Sequence, residues 1–215
     1  WYGGNKDRSK VVGLMARGTR IDRNIFRDIH RLWINGQEAI QLGQGQTPER
    51  RCEAVIEYNL FDNASGDLEI CSLKSSGNRV RHNLFVNCVG SFYFRNGDDN
   101  VLDGNALIGN THGTVVRGER NHVTNNLILD MSGVGIRLQT GKKGDKSYGA
   151  VVDGVFAHNT ILNCTVGAFL TGPLGGGPEA DYPRSNLVAN NILAGDSGIL
   201  VDLGAPEHAH LSHNL

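Results

Sequence analysis

An asparagine followed by two mostly apolar residues returns along almost the whole of this 215-residue chain. It stands at Asn24-Ile25-Phe26, Asn59-Leu60-Phe61, Asn83-Leu84-Phe85 and Asn105-Ala106-Leu107. It continues at Asn126-Leu127-Ile128, Asn159-Thr160-Ile161 and Asn191-Ile192-Leu193, and closes at Asn214-Leu215. The close spacings are 24, 22, 21 and 23 residues, and the wider ones, 32 to 35, equal one repeat plus about ten inserted residues. The insertions fall at 43–51, 140–148 and 172–184, each rich in Gly, Pro or charge. Between the asparagines, segments such as Ser91-Phe92-Tyr93-Phe94-Arg95 and Gly135-Ile136-Arg137-Leu138 alternate apolar and polar residues, the mark of half-buried strands. No stretch holds a helical period. The leucine pattern of leucine-rich repeats is missing, and propeller blades are about twice as long. A coil of about 22 residues with three short strands makes a parallel β-helix, so the chain is expected to be all-β, one domain over 1–215 and part of a longer solenoid. The recurrent asparagine fits a stacked ladder at a turn, its amide bonding the backbone of the next coil.

The charge is nearly balanced, with 21 Lys and Arg against 22 Asp and Glu. That argues against a nucleic-acid partner and against a polybasic membrane surface. The apolar runs are too short for a transmembrane helix. Gly is abundant, at 29, and Pro scarce, at 5, as tight turns between short strands require. The chain opens on Trp1-Tyr2-Gly3-Gly4 with neither an initiator Met nor a signal peptide, and reads as a mature or excised portion whose compartment stays open. Cys52, Cys71, Cys88 and Cys164 lack paired CxxC spacing and read as buried apolar fillers; sequence assigns no disulfide.

On such a scaffold, equivalent positions of successive coils lie about 4.8 Å apart, so outward residues form columns. Lys74, Arg95, Arg117 and Arg137 follow one another at 21, 22 and 20 residues and are expected to form one column. Stacked cations repel, so the column is either a solvated basic stripe or a groove for a polyanionic chain. Asp67 and Glu69 are two apart and, on a strand, point the same way, with Asn35 one coil earlier. They are a hard-oxygen set suited to Ca²⁺, or else a solvated acidic face paired with Lys74. Laid across this patch, a uronic acid polymer presents a C5 proton made acidic by the adjacent carboxylate. A cation on that carboxylate stabilises the charge that develops. Lys74 is the candidate base, and Arg95 the residue that orients the sugar, stabilises the oxyanion or assists proton delivery to O4. β-Elimination then leaves a 4,5-unsaturated uronate. Tyr93 shares the outward face of Arg95 and could stack on a sugar; His112 is either a substrate contact or an ordinary surface histidine.

In order, Asn35-Gly36, Asp67-x-Glu69, Lys74 and Phe94-Arg95-Asn96-Gly97 resemble the motifs of polysaccharide lyase family six. The similarity runs on through Gly113-Thr114-Val115-Val116-Arg117-Gly118 and Asn121-His122-Val123. That family holds alginate lyases and chondroitinase B, all right-handed parallel β-helices. The resemblance implies Lys74 as catalytic base, Arg95 as catalytic arginine, and Asn35, Asp67 and Glu69 as ligands of a Ca²⁺ that neutralises the substrate carboxylate. The first acid of the pair is Glu in chondroitinase B and Asp67 here. It also implies an anionic polysaccharide substrate, alginate ahead of dermatan sulfate because of Arg117 and Arg137, and a secreted or periplasmic location. Family members carry further N-terminal coils and a cap before the Asn35 rung. A second chain or a homodimer is therefore an expected cover for that end.

Other constellations carry less. His208, His210 and His213 read as a polar end coil before they read as a zinc site. Leu174-Gly175-Gly176-Gly177-Pro178 is turn chemistry, since no P-loop lysine follows. The stretch 140–146, with three lysines, reads as a mobile loop beside the groove. Asp98-Asp99 is the adjacent acid pair that a β-helix glycoside hydrolase would want. A non-catalytic, polyanion-binding β-helix is the remaining alternative.

Overall fold

The computed structural model describes residues 12–14, 16–32, 35–45, 47–172, 178–197, 199–205 and 207–215; the opening at Trp1 and the glycine-rich run 174–177 lie outside them. Each turn of the chain adds one strand to each of three parallel sheets. Sheet 1 stacks Val12–Leu14, Ile40–Gly43, Glu69–Lys74, Ser91–Phe94, Thr114–Val116, Val134–Gln139, Gly167–Gly172 and Val201–Asp202. Sheet 2 runs through eight strands from Arg20–Asp22 to Ala209–Ser212, and sheet 3 through seven from Ile25–Ile29 to Ile192–Ala194. The architecture is the expected right-handed parallel β-helix.

The repeat motif works position by position. Its third residue points into the helix: Phe26, Phe61, Phe85, Leu107, Ile128 and Ile161 pair one above the other along sheet 3 and are buried. Phe26, Phe61 and Phe85 stack ring on ring at 4.8 and 4.4 Å. Each such side chain contributes about 1.5–3 kcal/mol by leaving water. The motif's second residue faces out, as Ile25, Leu84 and Leu127 show.

The asparagine itself turns the corner between sheets 2 and 3. Asn83 is typical. Its Oδ1 accepts from the Asn59 N–H and amide at 3.0 and 2.9 Å. Its Nδ2 donates to the carbonyls of Ile56 and Arg81, both at 3.0 Å. The residue before each ladder asparagine lies in the left-handed region, with Tyr58 at φ 56°, His82 at 54° and His158 at 58°. The ladder's bonds offset that cost in a non-glycine residue. A second ladder, absent from the repeat reading, turns the corner between sheets 1 and 2. The Asn78 N–H donates to Asn100 Oδ1, and the Asn100 N–H to Asn121 Oδ1, each at 2.9 Å. The four cysteines are free and buried, and burial raises the thiols of Cys88 and Cys164 to about 11.

Candidate active site

Sheet 1 places the site. Cys71, Leu73, Phe92 and Phe94 point into the core, so alternation turns Ser72, Lys74, Tyr93 and Arg95 outward. Leu73 pairs with Phe94 and Phe94 with Val116, which sets Lys74, Arg95 and Arg117 on three adjacent rungs. Gly97 and Gly118, both at positive φ, carry the chain off the sheet just past Arg95 and Arg117. A side chain at either would meet the backbone of the previous coil.

The expected column of four cations is corrected at its end. Val116 pairs with Leu138, so the residue in line with Arg117 is Gln139. Arg137 pairs with Val115, one column over, in line with Tyr93 and Ser72. Arg117 is corrected too, because it is not an open groove residue. It is fully buried, its Nη1 donates to the Thr140 carbonyl at 3.1 Å, and its Nε and Nη2 lack hydrogen-bond partners among the described residues.

Lys74 and Arg95 share one cavity of about 320 Å³ with Asn35, Gln41, Glu69 and Tyr148. Lys74 Nζ donates to Glu38 Oε1 and Gln41 Oε1, both at 2.9 Å, and lies 3.8 Å from Glu69 Oε2. Arg95 Nε lies 3.1 Å from Glu69 Oε1. Glu69 therefore ties the two cations together, and Ser72 Oγ also donates to it. Burial pushes the Glu69 carboxyl above its ordinary value, against the pull of Lys74, the Ser72 hydroxyl and Arg95. Burial alone would lower Arg95, but Glu69 and Tyr148 outweigh it and hold the guanidinium above its usual value.

Asp67 departs from the expected metal set. It precedes the strand, is buried, and does not line the cavity. Its Oδ2 accepts the N–H of Gly36 at 2.6 Å and of Gln37 at 3.4 Å, and its Oδ1 the N–H of Glu69 at 3.3 Å. Asp67 thus shapes the Asn35-Gly36 turn. Asn35 and Glu69 do face the cavity, but Glu69 already balances Arg95 and Lys74. Asp67 does not share the cavity with Asn35 and Glu69, and its oxygens are taken by backbone N–H groups, so the donor set as placed does not fit Ca²⁺.

Two insertions close over the site. The stretch expected to be mobile, 140–146, is seated: Gly141–Lys142 pairs antiparallel with Ala180–Asp181, and a 3₁₀ turn, Lys146–Tyr148, follows. Ser147 Oγ donates to the Gly45 carbonyl at 2.7 Å, and Asn96 Nδ2 to the same carbonyl at 2.9 Å. Arg95 Nη1 donates to the Ser147 carbonyl at 3.3 Å and Nη2 to the Tyr148 hydroxyl at 2.6 Å. The Tyr148 ring lies against both guanidinium carbons, 4.2 Å from Arg95 and 5.3 Å from Arg117. Glu38, Ser147 and Tyr148 were not among the sequence candidates; Ser147 and Tyr148 sit in an insertion where no repeat pattern reaches, whereas Glu38 stands one coil before Glu69, in register with it. Beyond these loops a second cavity, about 450 Å³, is lined by five acids, Glu49, Asp98, Glu119, Asp145 and Asp181, against Lys142 and Arg184. Its charge suits no polyanion.

The remaining candidates lie apart. His112 is half-buried, and its Nδ1 accepts the Val134 N–H at 3.0 Å. Burial first, then Arg137, lowers its pKa, and the ring holds the turn at Val134. Tyr93 faces out beside Arg95 but does not line the cavity. Asp99 is taken by Arg51 and Arg120, both at 2.8 Å, and Asp98 Oδ1 by the Glu119 N–H, which leaves no acid pair for hydrolysis. Among the described residues no group of three His, Cys, Asp or Glu could hold a metal, so the C-terminal histidines make no zinc site.

Residues 14–193 match the family model described as chondroitinase B. Among solved structures, the chain is similar to a mannuronic acid specific polysaccharide family 6 lyase from human gut microbiota. Identity is 25% and the TM-score 0.80, over 93% of this chain and 49% of that one. It is also similar to a family 6 polysaccharide lyase from Pseudopedobacter saltans, at 25% identity and TM-score 0.85, over 99% of this chain and 61% of that one. A family 6 alginate lyase in complex with a trisaccharide shares the fold at 18% identity and TM-score 0.80, over 94% of this chain and 55% of that one. The chain thus spans about half to three-fifths of the length of these relatives. No curated protein matches.

Proposed function

Because the chain belongs to the chondroitinase B family, we propose that it is a polysaccharide lyase that cleaves a 4-linked uronic acid polymer by β-elimination. The observation that carries this is the shared cavity of Lys74 and Arg95, two cations on adjacent rungs tied by Glu69. Lys74 Nζ, once it has given its own proton to solvent, takes the C5 proton. The electron pair left at C5 forms the C4=C5 bond as the C4–O4 bond breaks. Arg95 binds the C6 carboxylate and supplies positive charge where the enediolate develops, which lowers the barrier most when the donor is already in place. No step passes through a metal, because the oxygen donors do not fit one.

Alginate is the proposed substrate. Arg117 and Arg137 support it less than the sequence suggested, since one is buried and the other stands off the column. The mannuronic acid specificity stated for the gut relative now supports it better. Dermatan sulfate is the second reading, favoured by the family description. A secreted or periplasmic location, and a cover over the first coil from further chain or a second copy, belong to the same proposal.

The test is the ultraviolet absorbance of unsaturated uronate released from alginate and, separately, from dermatan sulfate. The wild type should produce it from alginate. Lys74→Ala should abolish it while retaining most polysaccharide binding. A wild type that binds alginate without producing unsaturated ends would sink the lyase reading and leave a binding β-helix.

A further inference from the structure

The cavity that holds Lys74 and Arg95 has a closed end. Its lining spans three successive rungs of sheet 1: Gln41 and Gln44 on the first, Glu69 and Lys74 on the second, Arg95 on the third. Two rung spacings of about 4.8 Å give it a floor near the length of a disaccharide. The next rung brings Arg117, which is fully buried, bonded to the Thr140 carbonyl and covered by the Tyr148 ring at 5.3 Å. A polymer laid along the rungs therefore has no path from Arg95 on to Arg117 while residues 140–148 stay in place.

Those residues are anchored at several points. Gly141–Lys142 pairs with Ala180–Asp181, and Asp145 Oδ1 accepts the Ser147 N–H at 2.9 Å. Ser147 Oγ reaches across to the Gly45 carbonyl at 2.7 Å, and Asn96 Nδ2 donates to the same carbonyl at 2.9 Å. This bridge closes the side of the cavity just past Arg95. Beyond it lies the second cavity, where five acids face Lys142 and Arg184. A polymer with a carboxylate on every sugar is repelled there. The opposite end differs. Asn35, Gln41 and Gln44 line it, and amides bond sugar hydroxyls without repelling a carboxylate.

We propose that this site cuts its polymer at a chain end. The chain enters over Asn35 and Gln44, its last sugars fill the cavity, and residues 140–148 with Gly45 stop it past Arg95. The inference rests on the lyase reading above and adds where along the polymer the bond breaks. The bond changes are those already given. Each turnover releases a mono- or disaccharide, and the remaining polymer stays long.

The experiment digests alginate with the wild type and follows unsaturated ends by ultraviolet absorbance, product sizes by mass spectrometry, and viscosity. Mono- and disaccharides are expected from the earliest points, with viscosity falling only in proportion to the ends formed. At equal mass and below saturation, alginate shortened beforehand to half its length should double the initial rate, because chain ends are then the substrate. Intermediate oligosaccharides with an early collapse of viscosity, or a rate indifferent to chain length, overturn the proposal. The pair Ser147→Gly and Tyr148→Ala removes the bridge to Gly45 and the cover over Arg117. It should add products of intermediate length and lose more viscosity per end formed, whatever its rate. A folded variant that still releases only mono- and disaccharides overturns the role given to residues 140–148. The chain-length comparison needs the wild type alone, so it decides even if the variant does not fold. A wild type that yields no unsaturated ends sinks the lyase reading, whereas one that yields them by internal cuts sinks this inference alone.

Discussion

Removing one asparagine from each ladder should cost different amounts, and the hydrogen bonds say how different. Asn105 Oδ1 accepts from the Asn83 N–H and amide, both at 2.9 Å. Its Nδ2 donates to the carbonyls of Val80 at 3.0 Å and Asp103 at 3.1 Å, and also reaches Asn126 Oδ1 at 3.1 Å. At about 1 kcal/mol net for each satisfied bond, with the Asn83 N–H left buried and unpaired, Asn105→Ala should cost about 3–4 kcal/mol. Asn100 is as buried, and its Oδ1 likewise accepts twice at 2.9 Å, from the Asn78 N–H and amide. Its Nδ2, however, is buried without a partner among the described residues. Truncation there also leaves the Asn78 N–H unpaired, but it removes an unpaired donor and no donated bond, so Asn100→Ala should cost about 1–2 kcal/mol. Urea unfolding followed by far-ultraviolet circular dichroism measures both variants, with equal slopes required before midpoints are compared. Equal losses, or a smaller loss at position 105 than at 100, would refute the idea that the amide's donated bonds supply half of the ladder's strength.

Three further outcomes follow from the site. A chelator such as EDTA should leave the initial rate on alginate within about twofold, since no metal step is invoked; a large loss restored by Ca²⁺ would mean that Asp67 turns from the Gly36 and Gln37 N–H groups toward the cavity. Arg117→Met should leave thermal stability unchanged or raised, because a buried guanidinium with two unpaired nitrogens gives up little when an apolar chain replaces it; a drop beyond about 2 kcal/mol in melting experiments would contradict this. His112 has its pKa lowered from 6.5 by burial and by Arg137, so the unfolded chain binds the proton more readily. Stability is then complete above 6.5 and falls as the pH drops through that range, and His112→Gln should flatten the slope in pH-dependent melting. A slope left unchanged by that substitution would place the effect elsewhere.

The solenoid was legible because one residue type does one job in every coil. Asn83, Asn105 and Asn126 meet in the structure as their spacing required. The second ladder went unread although Asn78, Asn100 and Asn121 each stand two residues before a buried aliphatic, Val80, Leu102 and Val123, because the residue between varies from Arg to Val to His. Lys74, Arg95 and Glu69 were readable as neighbours for the same reason that the fold was. Arg137 was misplaced by counting residues: Val134–Gln139 is a six-residue strand, and its register sets Gln139, not Arg137, beside Arg117. Asp67 was misread by extending the strand's alternation two residues beyond its start at Glu69. Ser147 and Gly45 lie in insertions with no period, and their meeting depends on contacts across 102 residues that no local pattern encodes.

Those insertions explain how the cationic column survives. Two unit charges at rung spacing repel by roughly 3 kcal/mol at an effective dielectric of about 20. Each member of the column meets a different answer. Lys74 has Glu38 and Glu69, and Arg95 has Glu69 together with the Tyr148 ring and hydroxyl. Arg117 is bonded to the Thr140 carbonyl and lies near the same ring. The carboxylates come from the rungs, whereas the carbonyl and the phenol come from the insertion. The repeat supplies the spacing, and the insertion makes that spacing tolerable. A chain shortened by deleting 141–149 should then lose stability at the Arg95 and Arg117 rungs first, read as faster amide exchange in Ser91–Phe94 and Thr114–Val116 than in Leu84–Val86. Uniform exchange across those strands would show that the column does not depend on its cover.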